Sequence, residues 1–183
     1  MKLWNHYHMP TTLDEAAALL RRYEGRARII AGGTDLLVDM KAGAHEPHEA
    51  LVDVTRIPEL QVLDTEGEVF LIGAGVTHTR IVASTALAAA ATCLVESCGV
   101  IGGPQVRNVG TLGGNVAHAL PAGDGTTSLV ALDAEADILQ HEPFDARAKI
   151  GVALVQASRA HRPRNLLRVR LGRLHQNRHA GSP

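Results

Sequence analysis

The residues best suited to hold a ligand are glycines, and the first cluster of them lies in the segment AGGTD, residues 31–35. The segment follows a short apolar run and precedes a helical pattern that begins at Asp35. Glycines at such a junction allow positive φ angles and leave backbone N–H groups unshielded, so the loop can wrap an anion such as phosphate. The same residues also suit a plain turn with a helix N-cap, and both interpretations stay open.

A second cluster spans residues 99–115, GVIGGPQVRNVGTLGGN, and holds six glycines in seventeen residues. This density argues against a regular helix and indicates that the backbone approaches something closely. Thr111 and Asn115 offer side-chain hydrogen bonds beside Gly114, and Asp124 follows with a carboxylate that can accept from sugar hydroxyls. Two such loops suit a ligand with a pyrophosphate and a ribose.

Neither cluster matches the common nucleotide-binding motifs. The Gly-Lys-Ser/Thr of a P-loop is absent, and residues 73–78, GAGVTH, lack the third glycine of the Rossmann fingerprint. We interpret this near-match as a strand end.

Histidines provide two close pairs, His6 with His8 and His45 with His48. Neither pair has a third ligand nearby in the sequence, so no metal site is predicted. His118, three residues after the second cluster, either approaches the ligand or is a structural histidine.

The elements that must position these loops alternate between helix and strand up to residue 142. Thr12 followed by Glu15 is a capping box, and apolar residues then recur with a helical period up to Tyr23. Further patterns predict strands over residues 27–31, 51–54 and 69–73, one or two helices between residues 77 and 98, and a helix end followed by a strand over residues 131–139. The alternation predicts an α+β fold with a small mixed sheet.

Composition sets the protein class. The 183 residues are 45% hydrophobic and 20% charged, which is typical of a globular protein, and no apolar run is long enough to span a membrane. The first residues do not resemble a signal peptide, and two cysteines are too few for a disulfide framework. We therefore expect a cytoplasmic protein in which Cys93 and Cys98 are small core residues.

Charge divides the chain near Pro143. Residues 1–142 carry 9 Lys or Arg against 18 Asp or Glu, whereas residues 143–183 carry 9 Lys or Arg against one Asp. Such a tail either binds nucleic acid through its charge or is a solvated end, and its lack of Trp and Tyr makes nucleic acid the less favoured partner. We expect residues 143–183 to be disordered or loosely helical.

Residues 31–37 and 107–115, with Asp124 after them, resemble the two FAD loops of the molybdenum hydroxylase flavoproteins. These are the medium subunits of carbon monoxide dehydrogenase, 4-hydroxybenzoyl-CoA reductase and bacterial xanthine dehydrogenases. The resemblance covers roughly residues 1–140 and implies an FAD-binding fold of two α/β subdomains, residues 1–60 and 61–142, with the flavin between them. It implies that one segment wraps the pyrophosphate of FAD, made of Ile30, Ala31, Gly32, Gly33, Thr34, Asp35 and Leu36. It also implies that Thr111, Gly114 and Asn115 hold the pyrophosphate from the other side, that Ile101 lines the pocket, and that Asp124 contacts the ribose.

The resemblance also implies a function. In this family the FAD-binding subunit accepts electrons from the iron–sulfur clusters of a small subunit, which receives them from the molybdenum centre of a large subunit. It passes them to an external acceptor. The side chains named above are therefore expected to bind rather than to catalyse, and no catalytic residue is predicted.

The chain departs from the family in length and in its basic end. We expect the second subdomain to be incomplete, residues 143–183 to be an atypical basic tail outside the family sequence, and the family's C-terminal domain to be absent. The alternative is a truncated or altered fragment that folds in part and has no redox activity.

Overall fold

The computed structural model describes residues 2–44, 47–66, 69–118, 123–139, 145–149 and 166–172. The bounds of their helices and strands are β1 Trp4–His8, α1 Leu13–Arg22, β2 Ala27–Ile30, α2 Leu36–Ala42, β3 His48–Asp53, a 3₁₀ turn Pro58–Gln61, β4 Leu63–Glu66, β5 Val69–Gly73, α3 His78–Val82, α4 Thr85–Ala90, α5 Thr92–Val100, α6 Pro104–Val109, α7 Leu112–His118, α8 Asp124–Ala131, β6 Glu135–Leu139, β7 Asp145–Lys149 and β8 Leu166–Gly172. Along these residues strands and helices alternate up to β3, and six helices in succession then separate β5 from β6. None of these helices is long and apolar enough to cross a bilayer.

The strands form two sheets. The first has three parallel strands in the order β1-β3-β2, and the second has five strands in the order β4-β5-β8-β6-β7, all paired antiparallel. The predicted α+β class is confirmed, but the single mixed sheet is wrong. Helices α1 and α2 connect the first three strands and allow them to run parallel, whereas β4 and β5 follow one another directly and pair as antiparallel neighbours.

The first sheet is covered by α1, as the capping pattern predicts. The Thr12 hydroxyl accepts from the Glu15 N–H at 3.2 Å, while the Glu15 carboxylate accepts from the Thr11 N–H at 2.8 Å, one residue earlier than a standard capping box. The buried residues of α1 pack on those of the sheet, and the cluster they share includes Ala16, Leu20, Tyr23, Ala50 and Val52. This packing fixes β2, whose carboxyl end carries the first glycine loop.

Helices α3 to α8 pack beside the second sheet around a separate core. Its fully buried members come from several elements and include Ile72, Ile81, Leu94, Leu112 and Leu129. Cys98 is buried in the same core, as predicted, but Cys93 is exposed, so that half of the prediction is wrong. Each fully buried aliphatic side chain contributes about 1.5–3 kcal/mol. Because Leu112 belongs to this core, its burial fixes the second glycine segment at that point.

The prediction of a disordered or helical tail is wrong at two places. Residues 145–149 form β7, and residues 166–172 form β8, which lies between β5 and β6 with Val169 opposite both Ile72 and Ala136. The sequence of β8 begins LLRVRL, which alternates apolar and basic residues with the period of a strand, a pattern that the charge count concealed. The second sheet thus includes strands from beyond residue 142. The rest of this segment lies outside the described residues.

Candidate functional site

A cleft of about 340 Å³ opens where the loop after β2 meets the segment between α5 and α7. It lies outside the carboxyl end of β2 in the parallel sheet, the place where ligands bind in open α/β sheets. All but one of the residues predicted to bind the cofactor line it, the exception being Asp124. Their role in binding stays a prediction, but the fold brings two segments about 75 residues apart in the sequence to one cleft.

The first loop presents unpaired backbone donors to the cleft. Gly33 has a φ of +68°, a conformation that L side chains rarely adopt, and its carbonyl accepts from the Leu37 N–H at 3.1 Å. Among the described residues, the N–H groups of Gly32, Gly33 and Thr34 have no hydrogen-bond acceptor. Three neighbouring free N–H groups in a concave loop form a site for an anion, which favours the anion-binding interpretation over the plain turn.

The two glycine segments touch one another. A Cβ on Gly32 would overlap the carbonyl oxygen of Val109 and lie 2.9 Å from the Cα of Gly110. Glycine is therefore required at position 32 because the backbones of the two segments are in contact there. This contact holds the free N–H groups of the first loop beside the second segment.

The second segment is more regular than its composition predicts. It contains the short helices α6 and α7, and Gly113 and Gly114 lie inside α7. Its backbone pairs with the residues that follow β5, since the Gly110 carbonyl accepts from the His78 N–H at 3.1 Å and the Gly113 N–H donates to Ala74 at 3.0 Å. The prediction that residues 73–78 end a strand is confirmed, since β5 ends at Gly73.

Thr111, Gly114 and Asn115 form the wall of the cleft opposite the first loop. The Thr111 hydroxyl accepts from the Gly114 N–H at 3.0 Å, which leaves its own proton free to donate to a ligand. The side-chain oxygen of Asn115 accepts from the Thr126 N–H at 3.2 Å and so faces α8, leaving the amide nitrogen as its available donor. A Cβ on Gly114 would meet one atom within 4 Å, that same hydroxyl oxygen at 3.0 Å, so Thr111 would have to shift slightly while no backbone atom stands in the way.

Ile101 and Asp124 differ in their placement. Ile101 lines the cleft in a turn that Arg107 fixes by donating from Nη1 to the carbonyls of Ile101 and Gly102, at 3.1 and 2.6 Å. Asp124 is the exposed first residue of α8, outside the cleft lining, although the bond between Asn115 and Thr126 joins its helix to the site. Its contact with a ribose stays a prediction from the resemblance.

Three polar residues in the cleft were not predicted. Arg28 is half-buried in β2, where burial lowers its pKa and the charge of Asp39 acts in the opposite direction. An arginine inside the apolar run ARII was the available signal. His78, at the start of α3, and Asp39, in α2, also line the cleft, and neither position carries a pattern that marks it.

His118 lines the cleft as well, and its Nε2 lies 3.2 Å from Oδ2 of Asp39, so it connects α7 with α2. Both alternatives proposed for it thus have a structural basis, because it has a partner and faces the cleft. Of the two histidine pairs, His6, His8 and His48 lie outside the cleft lining, His8 with its Nε2 2.8 Å from the Tyr23 hydroxyl, and His45 lies outside the described residues. The part of the chain that the structure describes holds no cluster of three possible metal ligands.

Comparison with known proteins gives one family and a consistent set of relatives. The profile of the FAD binding domain in molybdopterin dehydrogenase matches residues 2–161. The chain is 39% identical over 128 residues to the carbon monoxide dehydrogenase medium chain of Hydrogenophaga pseudoflava, covering 70% of this chain and 44% of that one. It is 35% identical over 129 residues to the nicotinate dehydrogenase FAD-subunit of Eubacterium barkeri, covering 70% and 43%.

The fold has solved counterparts too. The structure of carbon monoxide dehydrogenase from Hydrogenophaga pseudoflava, in a form that lacks the Mo-pyranopterin moiety, superposes with a TM-score of 0.86 at 28% identity, over 96% of this chain and 61% of that chain. The chain spans less than half the length of the curated relatives just described. The family match runs to residue 161, so the expectation that family sequence ends near residue 140 is wrong.

Proposed function

The chain belongs to the family of FAD-binding domains of molybdopterin dehydrogenases, and from this premise we propose that it is the electron-transfer component of a molybdenum hydroxylase complex. FAD is the cofactor of this family, and the relatives are subunits of oxidoreductases, as the resemblance implied. The finer proposal is that the protein lies between the iron–sulfur clusters of a small subunit and an external acceptor. Its partners would then be that small subunit and a molybdenum-binding large subunit.

The observation that carries the proposal is that the N–H groups of residues 32–34 are without acceptors among the described residues, in a cleft that Thr111 and Gly114 also line. FAD has a doubly charged pyrophosphate, and backbone N–H groups hold such a group without the cost of ordering long side chains. Gly114 has no side chain and lines the cleft, so a ligand can approach its backbone closely. The residues present therefore fit the cofactor.

The chain's own residues would act by binding and orienting. The half-buried guanidinium of Arg28 supplies positive charge at the floor of the cleft, where low polarity strengthens its attraction for phosphate. Ile101 and Val106 provide apolar surface on the wall of the second segment. When bound, FAD supplies the one- and two-electron redox chemistry, so the protein needs no acid, base or nucleophile of its own.

Titration of the purified 183-residue chain with FAD tests the proposal. We expect saturable binding of one FAD per chain, followed by quenching of flavin fluorescence and by visible absorption that persists through gel filtration. Riboflavin, which lacks the pyrophosphate, is the matched ligand control and should bind at least about tenfold more weakly, the effect of losing roughly 1.4 kcal/mol of hydrogen bonding. A colourless protein with native circular dichroism and no FAD binding would favour the alternative of a fragment without redox activity.

A further inference from the structure

His78 is a buried histidine whose side chain lines the cofactor cleft. Only 2% of its surface is exposed, and its backbone N–H donates to the Gly110 carbonyl at 3.1 Å. The N-cap Thr77 holds the start of α3 by accepting from the Arg80 N–H. The imidazole is thus fixed by its backbone beside the point where Gly110 and Gly32 bring the two segments together.

The two ring nitrogens of His78 lie in different surroundings. Nδ1 is sealed from solvent and has no hydrogen-bond partner among the described residues. The opposite edge of the ring, with Cδ2 and Nε2, faces Gly110, since a Cβ placed on that glycine would lie 3.3 and 3.6 Å from these two atoms. The Nε2 edge is therefore the edge on the side of the second segment.

The lowered pKa of His78 favours the neutral ring. Burial lowers the pKa of His78, and although Asp35 acts to raise it, Arg107 lowers it further. A neutral imidazole carries one proton on either nitrogen, and the partner of one nitrogen normally decides which tautomer forms. No described residue accepts a hydrogen bond from Nδ1, so a ligand that accepts one at the other nitrogen would select the Nε2–H tautomer.

A structural histidine in a core normally has its ring satisfied, because an unpaired buried polar atom lowers stability. Neither ring nitrogen of His78 has such a partner among the described residues, and because Nδ1 is sealed, Nε2 is the nitrogen left to meet a ligand. The nearest feature that can use it is the cleft, beside the free N–H groups of the first loop.

We propose that His78 is a cofactor-binding residue, which donates a hydrogen bond from Nε2 to a pyrophosphate oxygen of bound FAD. The proposal rests on the proposed function, since it names a further contact in the same site. It also explains why a neutral donor lies there: it adds a hydrogen bond to the anion without changing its own charge.

Two substitutions test the donor directly. His78→Phe keeps a planar ring and removes the donor, and it should weaken both FAD and ADP about tenfold to a hundredfold, as for a hydrogen bond to a charged group. His78→Gln places an amide N–H near the position of Nε2 and should stay within about threefold of the wild type. Equal losses in both variants, or a loss for FAD without one for ADP, would overturn the pyrophosphate contact.

A measurement on the wild-type chain keeps the proposal testable even if His78→Phe fails to fold. Histidine labelled with ¹³C and ¹⁵N reports its tautomer by NMR, and saturation with FAD should fix the His78 signal in the Nε2–H form. A ring signal that FAD leaves unchanged, in a chain that binds FAD, contradicts the proposal. A wild-type chain that binds no FAD refutes the proposed function instead, so the two failures are distinct.

Discussion

The two glycine segments have different structural roles although both are rich in glycine. In residues 31–35, Gly33 provides a left-handed turn and the N–H groups of residues 32–34 stay free for a ligand. In residues 99–115, Gly110 and Gly113 are close to the protein itself, Gly110 to His78 and Gly113 to Ala74, and their N–H groups are used in internal hydrogen bonds. The difference shows that a high density of glycine indicates a backbone lying close to another group, which can be a ligand or another part of the chain.

This comparison assigns each glycine a separate consequence. Where a Cβ would meet backbone, as at Gly32 and Gly113, substitution affects the fold. Where it would meet only a side chain that lines the cleft, as at Gly114 with the Thr111 hydroxyl, substitution affects mainly the ligand. Stability and FAD affinity should therefore change independently along the two segments, and measuring both quantities on each variant tests the comparison.

Among the variants proposed, the largest loss of stability is expected at Gly113. The Cβ of Gly113→Ala would overlap that of Ala74 and lie 2.7 Å from its carbonyl oxygen, so a buried contact must open, at a cost of about 3 kcal/mol in the free energy of unfolding. Gly99→Ala, in α5, has no atom within 4 Å of its new Cβ and should instead stabilise by about 0.5–1 kcal/mol. Urea unfolding checks both. Equal stability of the two variants would refute the packing role.

The largest loss of affinity is expected at Gly114. Gly114→Val adds side-chain volume on the cleft side of α7 and should weaken FAD binding at least about a hundredfold, or roughly 2.7 kcal/mol, while the far-UV circular dichroism stays unchanged. Gly99→Val is the matched control, because it puts the same side chain on another helical glycine, one that has no atom within 4 Å of its new Cβ and lies away from the cleft. If Gly114→Val keeps FAD at wild-type stoichiometry, the wall that we assign to the second segment is wrong.

Much of the fold could be predicted from the sequence, because local patterns determine it. The capping pair of Thr12 and Glu15, the apolar runs of β2 and β5, and the glycines after β2 all lie where the pattern places them. The missed elements depend on distant partners. Strand β8 forms because β5 and β6 are available on its two sides, and neither partner is visible from its own residues.

The site residues also separate into those marked by a local sequence pattern and those placed by distant parts of the chain. Backbone loops are marked by glycine, so residues 30–36 and 111–115 could be identified, whereas side chains that reach the cleft from elsewhere carry no local mark. Arg28 and His78 are examples, since their position depends on how the two sheets and their helices pack. The use of Gly110 and Gly113 for packing could not be predicted either, because it depends on Ala74 and His78, more than thirty residues away in the sequence.

A smaller effect distinguishes strain from binding in the first loop. Gly33 and Gly43 have φ angles of +68° and +76°, so an alanine at either position should cost about 1–2 kcal/mol of stability. Only Gly33 lies in the cleft, and only Gly33→Ala should also weaken FAD, by about tenfold, because relief of the strain turns the N–H groups of the loop. Isothermal titration and thermal unfolding separate the two effects. A similar loss of FAD affinity in Gly43→Ala would show that strain alone is responsible.

The smallest effect on FAD affinity is expected at Cys98, in the core that supports the second segment. Burial, with a contribution from the charge of Asp124, raises the pKa of its thiol to about 12, so at pH 8 almost none of it is thiolate. A thiol reagent at that pH should therefore label the exposed Cys93 and leave Cys98 unmodified until the protein unfolds, which mass spectrometry of the peptides detects.

Cys98→Ser buries a hydroxyl in an apolar core and should lower stability by about 1–3 kcal/mol, yet it should leave FAD affinity within twofold of the wild type. Cys98 lies outside the cleft lining, so a large change in FAD affinity would mean that the core and the cleft are energetically coupled. In that case the packing glycines and the ligand-facing glycines could not have independent effects.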